Sequence, residues 1–131
     1  MIPFRVSFEP GVSLFEQVVY AAKKSLISGQ IQPGEKFPSV RALSQALKIN
    51  PNTAHKVVNQ LVAEGLLAVY PGVGTVAARR QPSTARERAL LLSRELEQLV
   101  VEAMKLHMEL DDVMRALEDH WRRLKPAKEE T

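Results

Sequence analysis

A mainly α chain with a small β wing, followed by a two-helix tail, is the fold class predicted by the 131-residue sequence, and three observations predict it. Two short amphipathic stretches, one around Val40 to Leu47 and one from Pro51 to Val62, are separated only by Lys48-Ile49-Asn50. Two apolar runs broken by a Gly-rich turn follow at once, between Leu66 and Ala78. Beyond Gln81-Pro82-Ser83 the chain has helical period as far as Leu124, with apolar residues spaced for one face of each helix. The expected division is a domain of residues 1–80 and a C-terminal helical region of residues 81–131.

Taken in order, Phe4-Arg5-Val6-Ser7-Phe8 alternates weakly and is expected as an extended arm lying on the domain, and Glu9-Pro10-Gly11-Val12 as a turn. Ser13-Leu14-Phe15-Glu16 has capping-box spacing, in which the serine accepts from the Glu16 amide and the Glu16 side chain reaches back to the Ser13 amide. The helix it starts is expected to bury Leu14 or Phe15, Val18, Ala21, Ala22 and Leu26 and to stop at Gly29. Pro33-Gly34 is a turn, and Glu35-Lys36 is a candidate short third strand beside the wing.

Ser39 can cap the next helix, whose apolar stripe is Val40, Leu43 and Leu47. Asn50 can cap the one after it, with Pro51 at the first helical position, where a missing amide costs nothing. Ala54, Val57, Val58, Leu61 and Val62 form its inward stripe. That leaves Asn52, Thr53, His55, Lys56, Asn59 and Gln60 outward, a set rich in hydrogen-bonding groups and free of acid until Glu64. Asn and Gln pair bidentately with adenine, Thr offers a hydroxyl and a methyl, and Lys reaches guanine or phosphate, so the face suits a major-groove reader. The same face would also serve as the solvated side of an ordinary helical hairpin. Gly65 then ends the helix, and strand, turn and strand follow through Pro71-Gly72-Val73-Gly74. A wing placed directly after a helix-turn-helix is far more specific than either part.

The run from Leu14 to Val76, with FEQV, SGQIQPGEKFPSVRALSQAL, INPNTAHKVVNQLVAEGLL and GVGTV, resembles the winged-helix DNA-binding domain of GntR-type bacterial transcription regulators. The opening FRVSFEPGVSLFEQV and the short tail resemble the YtrA subfamily. The resemblance implies DNA contacts from Ser39 and Arg41, from Asn50, Asn52, Thr53 and His55, and from the wing at Gly72 and Gly74; Lys56 joins them on its chemistry. Many relatives have arginines where this chain has Pro51 and His55, so their operators do not carry over. The family usually represses.

Charge is distributed unevenly. Residues 1–80 hold nine basic residues against four acidic, net +5, and residues 81–131 net −2. The basic excess belongs to the winged part, as expected of a phosphate-facing module joined to one that faces something else. With no cysteine, disulfides and thiolate chemistry are excluded. No run approaches the ~18 apolar residues of a membrane span, and the N-terminus lacks a signal peptide's apolar core, so the cytoplasm is the expected location. His55, His107 and His120 are scattered and suggest neither catalysis nor a metal site, and Gly72-Val73-Gly74 opens no helix and is no nucleotide loop. An enzyme is not expected, and no cofactor is.

Arg79-Arg80-Gln81-Pro82-Ser83 reads as a linker whose arginines suit either a phosphate contact or a solvated hinge. Thr84-Ala85-Arg86-Glu87 is a second capping-box pattern. The helix after it, to about Leu106, has Leu91, Leu92, Leu96, Leu99, Val100, Ala103, Met104 and Leu106 in a broad stripe. A break is expected near residues 107–110, where Asp111-Asp112 suit a new helix start. That helix has Val113, Met114, Leu117, Trp121 and Leu124, is stopped by Lys125-Pro126, and precedes a charged tail, Ala127 to Thr131. Two such helices cannot bury their apolar faces on each other alone. They are expected to form a homodimer through Leu92, Leu96, Leu99, Ala103, Leu117 and Trp121, the alternative being an intrachain cap on the winged domain. The 51 residues after Arg80 are few for a ligand-binding domain, so any small-molecule effector would bind at the dimer helices or their junction with the winged part. The combined expectation is a transcriptional repressor that binds a palindromic double-stranded DNA operator as a homodimer. The alternative is a winged module for protein contact.

Overall fold

The computed structural model describes residues 2–126, so the charged tail expected over residues 127–131 lies outside the described residues. Among the described residues, six α-helices and one two-stranded sheet follow in the order α1 (Leu14–Ile27), α2 (Val40–Leu47), α3 (Pro51–Ala63), β1 (Leu67–Tyr70), β2 (Gly74–Ala77), α4 (Ala85–Leu90), α5 (Leu96–Lys105) and α6 (Leu110–Leu124). A π-helical turn, Leu91–Glu95, joins α4 to α5. Two compact units emerge: one comprises the chain to Arg80 with Lys125 and Pro126, and the other is Gln81–Leu124. No helix among the described residues is long and apolar enough to cross a membrane.

In the first unit α1, α2 and α3 surround one core, in which Val18, Leu43, Val57 and Leu61 are fully buried. On α3 the inward stripe is Ala54, Val57, Val58 and Leu61. Val62, expected with them, is 37% exposed against 0% for Leu61. It lies one step of 100° further round the helix, past the edge of the face that α1 and α2 cover. On α1, Phe15 turns toward the core while Leu14 is exposed, and Val19 and Ser25 are buried beside Val18 and Ala22. The polar Ser25 is satisfied by donating to the Ala22 carbonyl at 2.7 Å. The arm has no ladder of its own; Phe4 is buried and stacks on Phe37 with ring centroids 5.9 Å apart.

The helix ends follow local chemistry. Ser13 accepts from the Glu16 amide at 3.2 Å, but the return half of the box is not formed; the neighbouring Gln17 ties the helix to the turn before it, its side-chain amide donating to the carbonyls of Glu9 and Val12 and accepting from the Glu9 amide. At Thr84 both halves of the box form, with bonds of 3.0 and 2.8 Å to Glu87. The amide donated by Thr84 holds the Glu87 carboxyl below its ordinary pKa. α3 ends in a Schellman arrangement: Leu66 donates to the Leu61 carbonyl and Gly65 to that of Val62, with Gly65 at φ 77. α2 ends differently, on Lys48 in the left-handed region (φ 56, ψ 48). A side chain there costs roughly 1–2 kcal/mol relative to right-handed backbone.

The wing is antiparallel, with Leu67 opposite Ala77 and Tyr70 opposite Gly74. The expected third strand is reduced to a single bridge from Lys36 to Val76. Pro38 has no amide to donate, and Ser39 already caps α2, so pairing cannot extend.

In the second unit α5 ends at Lys105 with Leu106 as its C-cap, and α6 begins at Leu110, with His107 at φ 60 in the break. Leu92, Leu96, Leu99, Leu117 and Trp121 are exposed in the single chain, Trp121 at 71%. Ala103, expected among the interface residues, is instead buried at 7%, its carbonyl taking the amides of Leu106 and Met108.

Leu61→Ala is expected to lower the unfolding free energy by about 2–5 kcal/mol, from lost transfer energy plus the cavity left behind. Val62→Ala should cost well under half as much. Equilibrium urea unfolding of both variants checks this; equal losses would mean that α3 turns both residues toward the core alike.

Candidate nucleic-acid interface

The burial of one side of α3 fixes what its other side presents. Asn52, His55, Lys56, Asn59 and Gln60 are exposed and Thr53 is half-buried. Asn50 stands at the start of this face as the cap, its Oδ1 accepting from the Asn52 amide at 2.7 Å. Its NH₂ group is left to donate outward. Ser39 has the same double character at α2, its Oγ accepting from the Ala42 amide at 3.0 Å while the hydroxyl proton stays available. Arg41, one residue into α2, is exposed.

The electrostatics favour an anionic partner. From Phe37 to Ala63 the chain has no Asp or Glu and has Arg41, Lys48 and Lys56. The first acid, Glu64, is engaged by the Lys23 ammonium at 2.7 Å and by the Gln60 amide at 2.7 Å. Partial burial pushes the Glu64 carboxyl up, but the donors from Gln60 and Lys23 outweigh it and hold the pKa below its ordinary value. A lowered carboxyl pKa stabilises the fold above the unfolded-state value, and that contribution is lost as pH falls through the folded-state value. The ion pair also neutralises the acid nearest the outward face of α3.

The N-termini of α2 and α3 add donors. Each helix begins with amides lacking intrahelical partners and with the positive end of its dipole, which suits phosphate oxygens. Asn and Thr beside such an end can reach base edges, and Lys56 one turn on can reach phosphate or guanine.

α3 runs through Gly65 into the wing, so the wing's origin is set by the same core. The turn closes with the Val73 amide donating to the Tyr70 carbonyl at 3.0 Å. Gly72 and Gly74 have φ of 78 and 108, and a Cβ on either would meet nothing within 4 Å. Backbone conformation and not crowding therefore selects glycine there. No charge lies between Leu66 and Ala78, so the wing would meet a groove through backbone and apolar atoms, with Arg79 and Arg80 at its base.

Ser39, Arg41, Asn50, Asn52, Thr53, His55 and Lys56 thus belong to two consecutive helices of one unit, and Gly72 and Gly74 to the hairpin that follows. The motif does not single out Gln45 and Lys48, which are exposed on α2 as well. Their signal in the sequence is spacing, since they stand four and seven residues after Arg41.

Comparison with known proteins gives concordant results. The profile of the family described as bacterial regulatory proteins, gntR family, matches residues 14–76. The chain is 31% identical over 99 residues to the HTH-type transcriptional repressor YtrA of Bacillus subtilis, covering 75% of this chain and 76% of that protein. It is 23% identical over 110 residues to the HTH-type transcriptional regulator YhcF of the same organism, covering 84% and 91%. Among solved structures, one described as a transcriptional antiterminator from Listeria monocytogenes aligns with a TM-score of 0.82 at 20% identity, over 98% of this chain and 96% of that one. YtrA from Sulfolobus acidocaldarius aligns with a TM-score of 0.52 at 22% identity, over 88% and 93%. At these identities the structural likeness is one of fold.

Proposed function

Given that the chain belongs to the GntR family of bacterial regulatory proteins, and is a transcription regulator with that family's DNA-binding domain, we propose that it is a repressor that binds a palindromic operator as a homodimer. It acts in the cytoplasm. The observation that carries this reading is the outward face of α3, which is exposed, acid-free and built from side chains that donate and accept hydrogen bonds. Repression is supported by the 31% identical relative, which is named a transcriptional repressor.

In this reading α3 enters the major groove with its N-terminal residues leading. Asn52, Thr53 and His55 meet base edges and set sequence preference. Ser39, Arg41 and Asn50 hold the two helix N-termini against the backbone, with Arg41 long enough to reach a guanine instead. Lys56 adds phosphate contact, and the wing turn at Gly72 and Gly74 lies along the neighbouring groove. The tail pairs two chains through Leu92, Leu96, Leu99, Leu117 and Trp121. Support for pairing comes from the exposure of these apolar side chains. Ala103, buried already, contributes little to a partner.

Asn52→Ala is expected to leave stability within about 0.5 kcal/mol of the parent, because its side chain is exposed, and to lose about 1–3 kcal/mol on its preferred sequence with little loss on random DNA. Competition between the two duplexes checks it. Equal losses on both would place Asn52 on phosphate and contradict a register of α3 that points it at base edges.

Leu99→Asp tests the tail. Leu99 is 49% exposed in the single chain, so the charge is tolerated in a monomer but costs several kcal/mol when buried unpaired at an interface. Sedimentation should find the parent a dimer at micromolar concentration and the variant a monomer. A monomeric parent would refute the dimer.

A further inference from the structure

Arg41 and Gln45 fall at i and i+4 and so form one row along α2, and Lys48, seven residues after Arg41, follows them as the C-cap. All three are exposed, while the buried Leu43 lies on the opposite side of the helix. Lys48 ends the row as one of two non-glycine residues with positive φ among those described, the other being His107. The fold does not require a lysine there. The turn is closed by the Ile49 amide donating to the Ser44 carbonyl at 3.1 Å, by the Ser44 hydroxyl donating to the Ile49 carbonyl at 2.7 Å, and by the burial of Ile49. The Lys48 side chain forms no ion pair among the described residues, and glycine or asparagine is what a left-handed helix exit favours. A side chain that stands on left-handed backbone and forms no ion pair or hydrogen bond among the described residues points to a contact beyond them.

We infer that the outward row of α2 is a phosphate-binding edge and that Lys48, at its end, contacts the DNA backbone beside the half-site read by α3. The inference rests on the proposed DNA-binding function. At ~1.5 Å of rise per residue, Arg41 and Lys48 stand roughly 10 Å apart along the helix. Gln45 lies between them with an amide that can donate to a phosphate oxygen. No acid on α2 or α3 opposes an anion along this edge. Contacts of this kind set affinity and orientation and leave sequence preference to α3.

The test compares the parent, Lys48→Gly and Lys48→Arg in binding to a mixed-sequence duplex and to a duplex selected from a random pool, over a salt series. Lys48→Gly should weaken both complexes by a similar factor and lower the slope of log K against log salt by about 0.9 for each Lys48 in the complex, the value for one phosphate, and so by about 1.8 for a bound dimer. Lys48→Arg should keep the parental slope. The urea midpoint of Lys48→Gly should be unchanged or raised, since glycine relieves the left-handed strain while removing a cation from the α2 C-terminus. A slope unchanged in Lys48→Gly, whatever its midpoint, would overturn the inference and leave Lys48 a helix-end charge, with DNA binding itself intact. A parent that binds neither duplex in a salt-dependent way would overturn this inference and the DNA-binding reading together.

Discussion

The packing of Leu43, Val57 and Leu61 against Val18 decides almost everything this chain presents to a partner. An α-helix has one circumference to divide, and each apolar residue drawn into the core commits the residue at i+2, about half a turn round, to the outside. Burying a leucine such as Leu61 contributes about 1.5–3 kcal/mol, far more than any single exposed polar contact, so the core sets the rotation of α3 and the polar residues follow. Asn52, His55 and Lys56 are outward because Ala54, Val57 and Val58 are inward. The capping bonds at Ser39 and Asn50 then fix where each helix starts, and so which amides and side chains stand at the leading end.

Much of this was legible in the sequence because the signals are local. Ser39 and Asn50 sit immediately before apolar periodicity, Pro51 tolerates only a few helical positions, and Gly65 marks a left-handed exit. Each of these choices depends on near neighbours alone. The errors fall where an answer depends on a distant part of the chain. Val62 fits the stripe of α3 by period but lies past the edge of the face that α1 and α2 cover. The reciprocal bond from Glu16 is missing, and Gln17 ties the helix start to the turn at residues 9–12. The left-handed Lys48 was not legible, since a lysine carries no signature of positive φ; only the geometry of the α2 exit reveals it.

The two units differ in how completely each satisfies itself. The first buries its apolar residues within one core and leaves a basic, hydrogen-bonding surface. The second leaves leucines, methionines and a tryptophan exposed. The division of charge follows the same line, net +5 in residues 1–80 and net −2 in residues 81–131. A module for phosphate and a module for an apolar partner are what that contrast suits, and pairing the second places two copies of the first on one duplex. Affinity for a paired site then gains from the high effective concentration of the second α3 once the first has bound.

The central claim, that α3 reads DNA sequence as one of a symmetric pair, is tested most directly by recovering the genomic fragments bound by the intact protein and aligning them. The expected result is a shared inverted repeat whose half-sites are centred about 10 base pairs apart, or a multiple of that spacing, since both recognition helices must meet the same side of the duplex. Fragments with no common sequence, or with a single unpaired half-site, would contradict it.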